Sequence, residues 1–236
     1  MCHKSCLEFG RIVLKKDDIA GKSIIEIGSF DINGSLRQII EPLKPITYVG
    51  VDIAPGPGVD VVCNAEQLLN IFEFNSFDTL VSTEVLEHVK DWKRVVSNFK
   101  HLVRPNGILL ITTRSKGCGF HGCPEDHWRY ELSDMGEIFS DFIIEELWKD
   151  PMVEGVFLKA RKPSNFRECE TSHVKLHSIM KNRRTLNNRG LEIFFFKVRL
   201  FFRILRKKPT YLKLLLSKNI YEIATQVNHP NQIDNP

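Results

Sequence analysis

The chain has no run of about 18 uncharged apolar residues, so no membrane-spanning helix is expected. Its N-terminus carries no apolar stretch of the kind a secretory leader needs. Its six cysteines, Cys2, Cys6, Cys63, Cys118, Cys123 and Cys169, form no regular framework, which points to a reducing, cytoplasmic setting rather than a disulfide scaffold. Internal repeats and low-complexity tracts are also lacking. What is left is a globular composition over 236 residues: 42% hydrophobic, 26% charged, with a mean hydropathy of −0.18.

The net charge of +4 is unevenly spread. From Ser164 onward there are 14 Lys and Arg against 5 Asp and Glu, so the tail carries +9 and the body −5. We therefore expect two parts, a domain over residues 1–163 and a basic, partly helical appendage over 164–236.

Within the first part, β-rich runs alternate with helical patterns, the mark of a parallel sheet with crossover helices. Strands are expected at Ser23–Gly28, Ile46–Asp52, Val59–Val62, Phe77–Ser82 and Ile108–Thr113. Between them fall a helix from Asn33 or Gly34 to Ile40, a short helix over Glu66–Ile71, and a longer one over Asp91–Val103 followed by a turn at Arg104-Pro105-Asn106-Gly107. A helix capped by Ser133 and a hairpin of Phe142–Trp148 with Val153–Ala160 complete the pattern. The expected fold is a Rossmann-like, doubly wound, seven-stranded sheet whose last strand is antiparallel, with a C-terminal basic helical appendage.

Ile24-Ile25-Glu26-Ile27-Gly28-Ser29-Phe30-Asp31-Ile32-Asn33-Gly34 is a strand that breaks at a glycine on the carboxyl edge, where open α/β sheets bind ligands. Phe30 stands where a pyrophosphate loop would need its second glycine, which disfavours a nicotinamide dinucleotide. Twenty-four residues after Gly28, Asp52 ends the second strand beside that loop, a position from which a carboxylate can accept both hydroxyls of a ribose.

Together with Asn33-Gly34-Ser35, Gly56-Pro57-Gly58-Val59-Asp60 and Phe77-Asp78 through Thr83-Glu84-Val85-Leu86-Glu87-His88, these motifs resemble class I S-adenosylmethionine-dependent methyltransferases, and within them the type-11 group. The resemblance spans about residues 22–163. It implies S-adenosyl-L-methionine as cofactor, with Glu26, Gly28, Ser29, Asn33 and Gly34 at the methionine loop and Asp52 on the ribose. It also implies Ile53 against the adenine, Asn64, Ala65 and Glu66 at the adenine edge, and Thr83 and Glu84 near the methionyl group. The implied reaction is methyl transfer, to a hydroxyl of a small-molecule, sugar or lipid-linked acceptor. The alternative is a non-catalytic binding or scaffold protein that keeps the fold.

Glu87 and His88 could form an acid–base pair, but neighbours one apart on a helical turn point to different sides, so His88 is expected to pack or cap, with a role at the acceptor site as the alternative. After the fifth strand, His127 and His121 are candidate bases for an acceptor hydroxyl, since an imidazole titrates near neutrality. Cys118, His121, Cys123 and His127 are four possible zinc ligands in ten residues, yet a loop this compact would struggle to aim all four tetrahedrally and no metal is expected. In the tail, Leu191–Leu205 holds eleven apolar residues broken by Lys197, Arg199 and Arg203, with Arg206, Lys207 and Lys208 beyond. Such a segment, 191–208, fits a membrane interface, the body of the protein or a homodimer contact; nucleic acid is disfavoured, since no binding fold accompanies it.

Overall fold

The computed structural model describes residues 3–122 and 125–207, the last eight by backbone alone. Seven strands form one sheet in the order β3-β2-β1-β4-β5-β8-β7, with β1 Ser23–Ile27, β2 Thr47–Asp52, β3 Val61–Val62, β4 Phe77–Thr83, β5 Val103–Arg114, β7 Ile143–Lys149 and β8 Gly155–Arg161. The strands from β3 to β5 run parallel, and β8 is antiparallel to both of its neighbours. This is the expected doubly wound order with a reversed last strand.

Strand alternation splits the apolar residues between two faces. Ile24, Val81, Leu110 and Phe157 join one buried cluster with Phe9, Val13, Ile19 and Ile40, contributed by the helices α1 Lys4–Val13, α2 Lys16–Ile19 and α3 Arg37–Ile40. Ile25, Leu80, Leu109 and Leu158, one residue along each strand, join the opposite cluster. There they meet Val95, Phe99, Met135 and Ile138 from α4 Trp92–Leu102 and α5 Leu132–Ile138. The helix α1 was not anticipated from the sequence, although it seals the first face.

Several boundaries move for identifiable reasons. The helix expected from Asn33 or Gly34 begins only at Arg37, because Asp31 accepts from the Gly34 amide (2.7 Å) and holds the preceding loop irregular. The short helix after β3 is a 3-10 turn over Ala65–Asn70, capped by the Asn64 side chain. α5 is capped by Glu131, not Ser133: Glu131 and Asp134 form a reciprocal box. The turn at Arg104–Gly107 lies inside β5 as a bulge, with Asn106 at φ 64.

Between residues 164 and 185 the chain stays on the body. A three-stranded sheet joins β6 Trp128–Arg129, β9 Leu176–Ser178 and β10 Arg183–Thr185 in the order β10-β9-β6. Val174 and Leu176 enter the same buried cluster as Trp128 and Tyr130, and Arg184 pairs with Asp134. The anticipated amphipathic helix follows as α6 Leu191–Lys207, with Leu191, Phe194 and Phe195 exposed. Its anticipated cations Arg203, Arg206 and Lys207 fall where only backbone is described, and Lys208 and Cys123 lie outside the described residues.

Candidate functional site

The carboxyl ends of β1, β2 and β4 converge on a cavity of about 430 Å³. Gly28, Asp52, Ile53, Asn64, Ala65, Glu66, Thr83 and Glu84, all marked from the sequence, line it. Glu26, Ser29, Asn33 and Gly34 do not; Glu26 lies within β1 and the other three in the loop that follows it.

Backbone geometry explains the loop's residue choices. Gly28 turns the chain at φ 84, and a side chain there would strike Val85. The Gly28 and Ser29 amides both donate to the Val51 carbonyl, which ties the loop to β2. Asp52 then fastens the next stretch, accepting from the Phe30 amide at 3.2 Å and the Ala54 amide at 3.1 Å. Phe30 lies across Gly56, where any side chain would collide with its ring. The bulky residue in the loop is thus matched by a glycine in the facing turn.

Behind the loop, Glu26 is buried and accepts from Ser35 Oγ (3.0 Å) and Tyr48 OH (2.9 Å). Burial raises its pKa against the pull of those two donors and of Arg37. Arg37 in turn stacks over Tyr48 at 4.6 Å and pairs with Asp60, whose carboxylate also receives the Gly50 amide at 2.7 Å. The network locks β2 against the loop.

On the opposite wall stands the Thr83–His88 turn. Glu84 adopts φ 58 and is buried; Thr112 Oγ1 donates to it and Arg114 pairs with it. Burial and the nearby Glu87 push its pKa well above the ordinary carboxylate range, with Arg114 opposing. Glu87 and His88 sit in a non-helical turn in which the His88 amide bonds back to the Val85 carbonyl. The helical geometry assumed for them is absent, so the two side chains approach one another: Glu87 Oε1 lies 3.8 Å from His88 Nε2. His88 packs against His121 and also lines the cavity, so both of its expected settings meet at one residue.

Neither His121 nor His127 lines the cavity. His127 is buried with Nε2 2.9 Å from Glu125 Oε2, and Glu125 does face the cavity. His121 stands behind His88, ring centroids 5.0 Å apart, with Nε2 3.9 Å from Glu87 Oε1 and Nδ1 3.3 Å from Asp126 Oδ2. Burial opposes a charge on His121, but Asp126, Cys118 and Glu87 prevail and its pKa is pushed up to about 12. Glu87, which burial alone would raise, is brought to about 2 by His121 and His88. Asp126 is held in turn by buried Arg129 through two bonds of 2.5 and 2.7 Å.

Residues 7–151 match a family model described as a methyltransferase domain. Two relatives are both ubiquinone biosynthesis O-methyltransferases. That of Sinorhizobium fredii is 29% identical over 129 residues, 47% of this chain and 48% of the relative. That of Bartonella tribocorum is 27% identical over 180 residues, 69% of this chain and 65% of the relative. The chain therefore spans less than two-thirds of either relative. Among solved structures, Burkholderia thailandensis 1,6-didemethyltoxoflavin-N1-methyltransferase, with bound 1,6-didemethyltoxoflavin and S-adenosylhomocysteine, shares the fold. Its TM-score is 0.54 at 12% identity, over 67% of this chain and 78% of that one.

Proposed function

The chain belongs to the methyltransferase-domain family, and we propose that it is an S-adenosylmethionine-dependent enzyme that methylates a hydroxyl of a small-molecule, sugar or lipid-linked acceptor. The observation that carries this reading is the cavity at the ends of β1, β2 and β4, where a carboxylate, an apolar rim and a side-chain-free turn meet. The residues fit the cofactor: Gly28 leaves open backbone at the strand end, and Asp52 keeps acceptor capacity beyond its two backbone bonds. When bound, S-adenosylmethionine supplies a methyl group on a sulfonium, activated toward an oxygen nucleophile.

In this reading Asp52 receives the ribose hydroxyls and half-exposed Ile53 covers the adenine, whose edge meets Asn64, Ala65 and Glu66. Gly28, Thr83 and Glu84 hold the methionyl end. Glu26, Ser29, Asn33 and Gly34 act through the loop they shape. The protein's main contribution is alignment of acceptor oxygen and methyl group, which can supply most of the rate. The acceptor's proton passes to the pair of Glu125 and His127, while His121 acts from behind His88. The names of the two curated relatives support an oxygen acceptor.

Calorimetric titration with S-adenosylmethionine, S-adenosylhomocysteine and NAD tests the cofactor. Binding of the first two alone is expected; binding of NAD alone, or of none, overturns the reading. No helix among the described residues is long and apolar enough to cross a membrane. Residues 164–236 are proposed as an appendage to the domain of residues 1–163, with α6 as its surface-seeking part. Exposed Leu191, Phe194 and Phe195 beside exposed Arg199 support peripheral seating at an anionic interface. Sedimentation with anionic vesicles, lost on deletion of 191–236, is the expected result; retention with the deletion removes α6 as the anchor, and a shift in oligomeric state makes it a dimer contact.

A further inference from the structure

Three side chains outside the expected cofactor contacts converge at the cavity wall. The nearest ligand-type atoms of Glu87, His88 and His121 all lie within 4.8 Å of one another. Glu87 Oε1 is completely buried and has no hydrogen-bond partner among the described residues, while Oε2 is satisfied by Thr113 Oγ1 at 2.9 Å. A buried carboxylate oxygen without a hydrogen bond is costly unless something cationic completes it. The two imidazole nitrogens facing it stand at 3.8 and 3.9 Å, too far for hydrogen bonds.

Each imidazole is oriented from its other side. His88 Nδ1 meets the Glu125 carbonyl at 2.5 Å, which assigns the proton to Nδ1 and leaves the Nε2 lone pair toward Glu87. His121 Nδ1 meets the Gly119 carbonyl at 3.1 Å and Asp126 Oδ2 at 3.3 Å, with Arg129 fixing Asp126 from behind. Carbonyl or carboxylate behind an imidazole is the arrangement that sets tautomer and direction in metal sites.

We propose that Glu87, His88 and His121 form a three-ligand site for one divalent transition cation at the wall of the cavity. Two imidazoles and a carboxylate favour zinc, iron(II), manganese(II) or cobalt(II) over magnesium, and three protein ligands leave a coordination position free. Ligands about 2.1 Å from a tetrahedral cation stand on the order of 3.4 Å apart, so small side-chain rotations close the site. Without the cation, a proton on His121 Nε2 answers the same charge. Because His88 lines the cavity, the free position is suited to an acceptor oxygen, a role that rests on the methyl-transfer reading; cation binding itself does not.

The test is titration of the metal-stripped full chain with Co2+, read by visible absorption and by calorimetry, with Mg2+ in parallel. One equivalent of Co2+ is expected per chain, with affinity reduced at least a hundredfold by His121→Ala and by Glu87→Gln. Asp126→Asn is expected to lower it ten- to a hundredfold, the usual cost of losing an orienting partner. S-adenosylhomocysteine affinity and circular dichroism serve as controls for folding and stay unchanged in His121→Ala, which separates failure of this site from failure of the cofactor reading. Absence of Co2+ binding, binding of Mg2+ alone, or Co2+ affinity unmoved by His121→Ala in the folded variant overturns the proposal.

Discussion

Val85 fills the space beside Gly28: a Cβ built on that glycine would lie 2.2 Å from Val85 Cγ2. Two independent constraints therefore hold the residue, the contact and the φ of 84. Gly28→Ala is expected to cost about 2–4 kcal/mol, combining a left-handed non-glycine residue with overpacking. Val85→Ala in the same chain restores only the overpacking part, as a double-mutant cycle in urea unfolding measures. Full restoration would mean that the backbone angle carries no cost.

Asp52 fastens two backbone amides and faces the cavity, whereas His127 is walled off from it. Asp52→Ala should weaken S-adenosylmethionine binding more than tenfold, about 1.4 kcal/mol, in calorimetry. His127→Ala should leave that affinity within a few-fold while lowering turnover. Equal losses in affinity would refute the division of roles.

Asp18 offers a pH dependence. Burial pushes its pKa up, but hydrogen bonds from Lys159, the Lys15 amide and Arg161 outweigh this and hold it below the ordinary value. Its stabilising contribution is therefore present above the unfolded-state pKa and is lost as pH falls through the folded one. Asp18→Asn should be destabilised by about 1–3 kcal/mol at neutral pH, since Lys159 and Arg161 both keep Glu145 as a partner, and should show a shallower loss of stability toward acid. Thermal unfolding between pH 7 and pH 3 provides the comparison; parallel curves for the two proteins would exclude Asp18 as the source.

Truncation separates the two halves of the tail. Ending the chain after residue 163 removes Val174 and Leu176 from the cluster that holds Trp128 and Tyr130, so loss of cooperative unfolding is expected. Ending it after residue 190 leaves β9 and β10 in place, and the melting transition should persist. Indistinguishable melting curves for the two truncations would show that the small sheet adds no stability.

The core of the fold was legible because strands and glycine turns leave short-range marks. Ile24 and Ile25 alternate between faces as their pattern requires, and Gly28 and Asp52 fall at strand ends where their spacing placed them. What escaped depended on contacts distant in sequence. The two residues of β6 gain strand geometry only by pairing with β9, and α1 is amphipathic but lies ahead of the first motif. At the site, the direction of Glu87 and His88 was misjudged because a turn, not a helix, carries them. The third member, His121, lies 33 residues beyond His88 with no spacing rule to connect them.

The pairing of Trp128 with Ser178 and Arg129 with His177 also sets an order of events in synthesis. The large sheet is complete in sequence by Arg161 and can assemble on a chain still being extended, since domains fold as units during synthesis. The residues that carry His121 and Asp126 lie just before β6, so their final anchoring waits for a partner strand about fifty residues later. A chain halted in that interval would have all seven strands of the large sheet in sequence but would lack Val174 and Leu176, which complete the core beside Trp128.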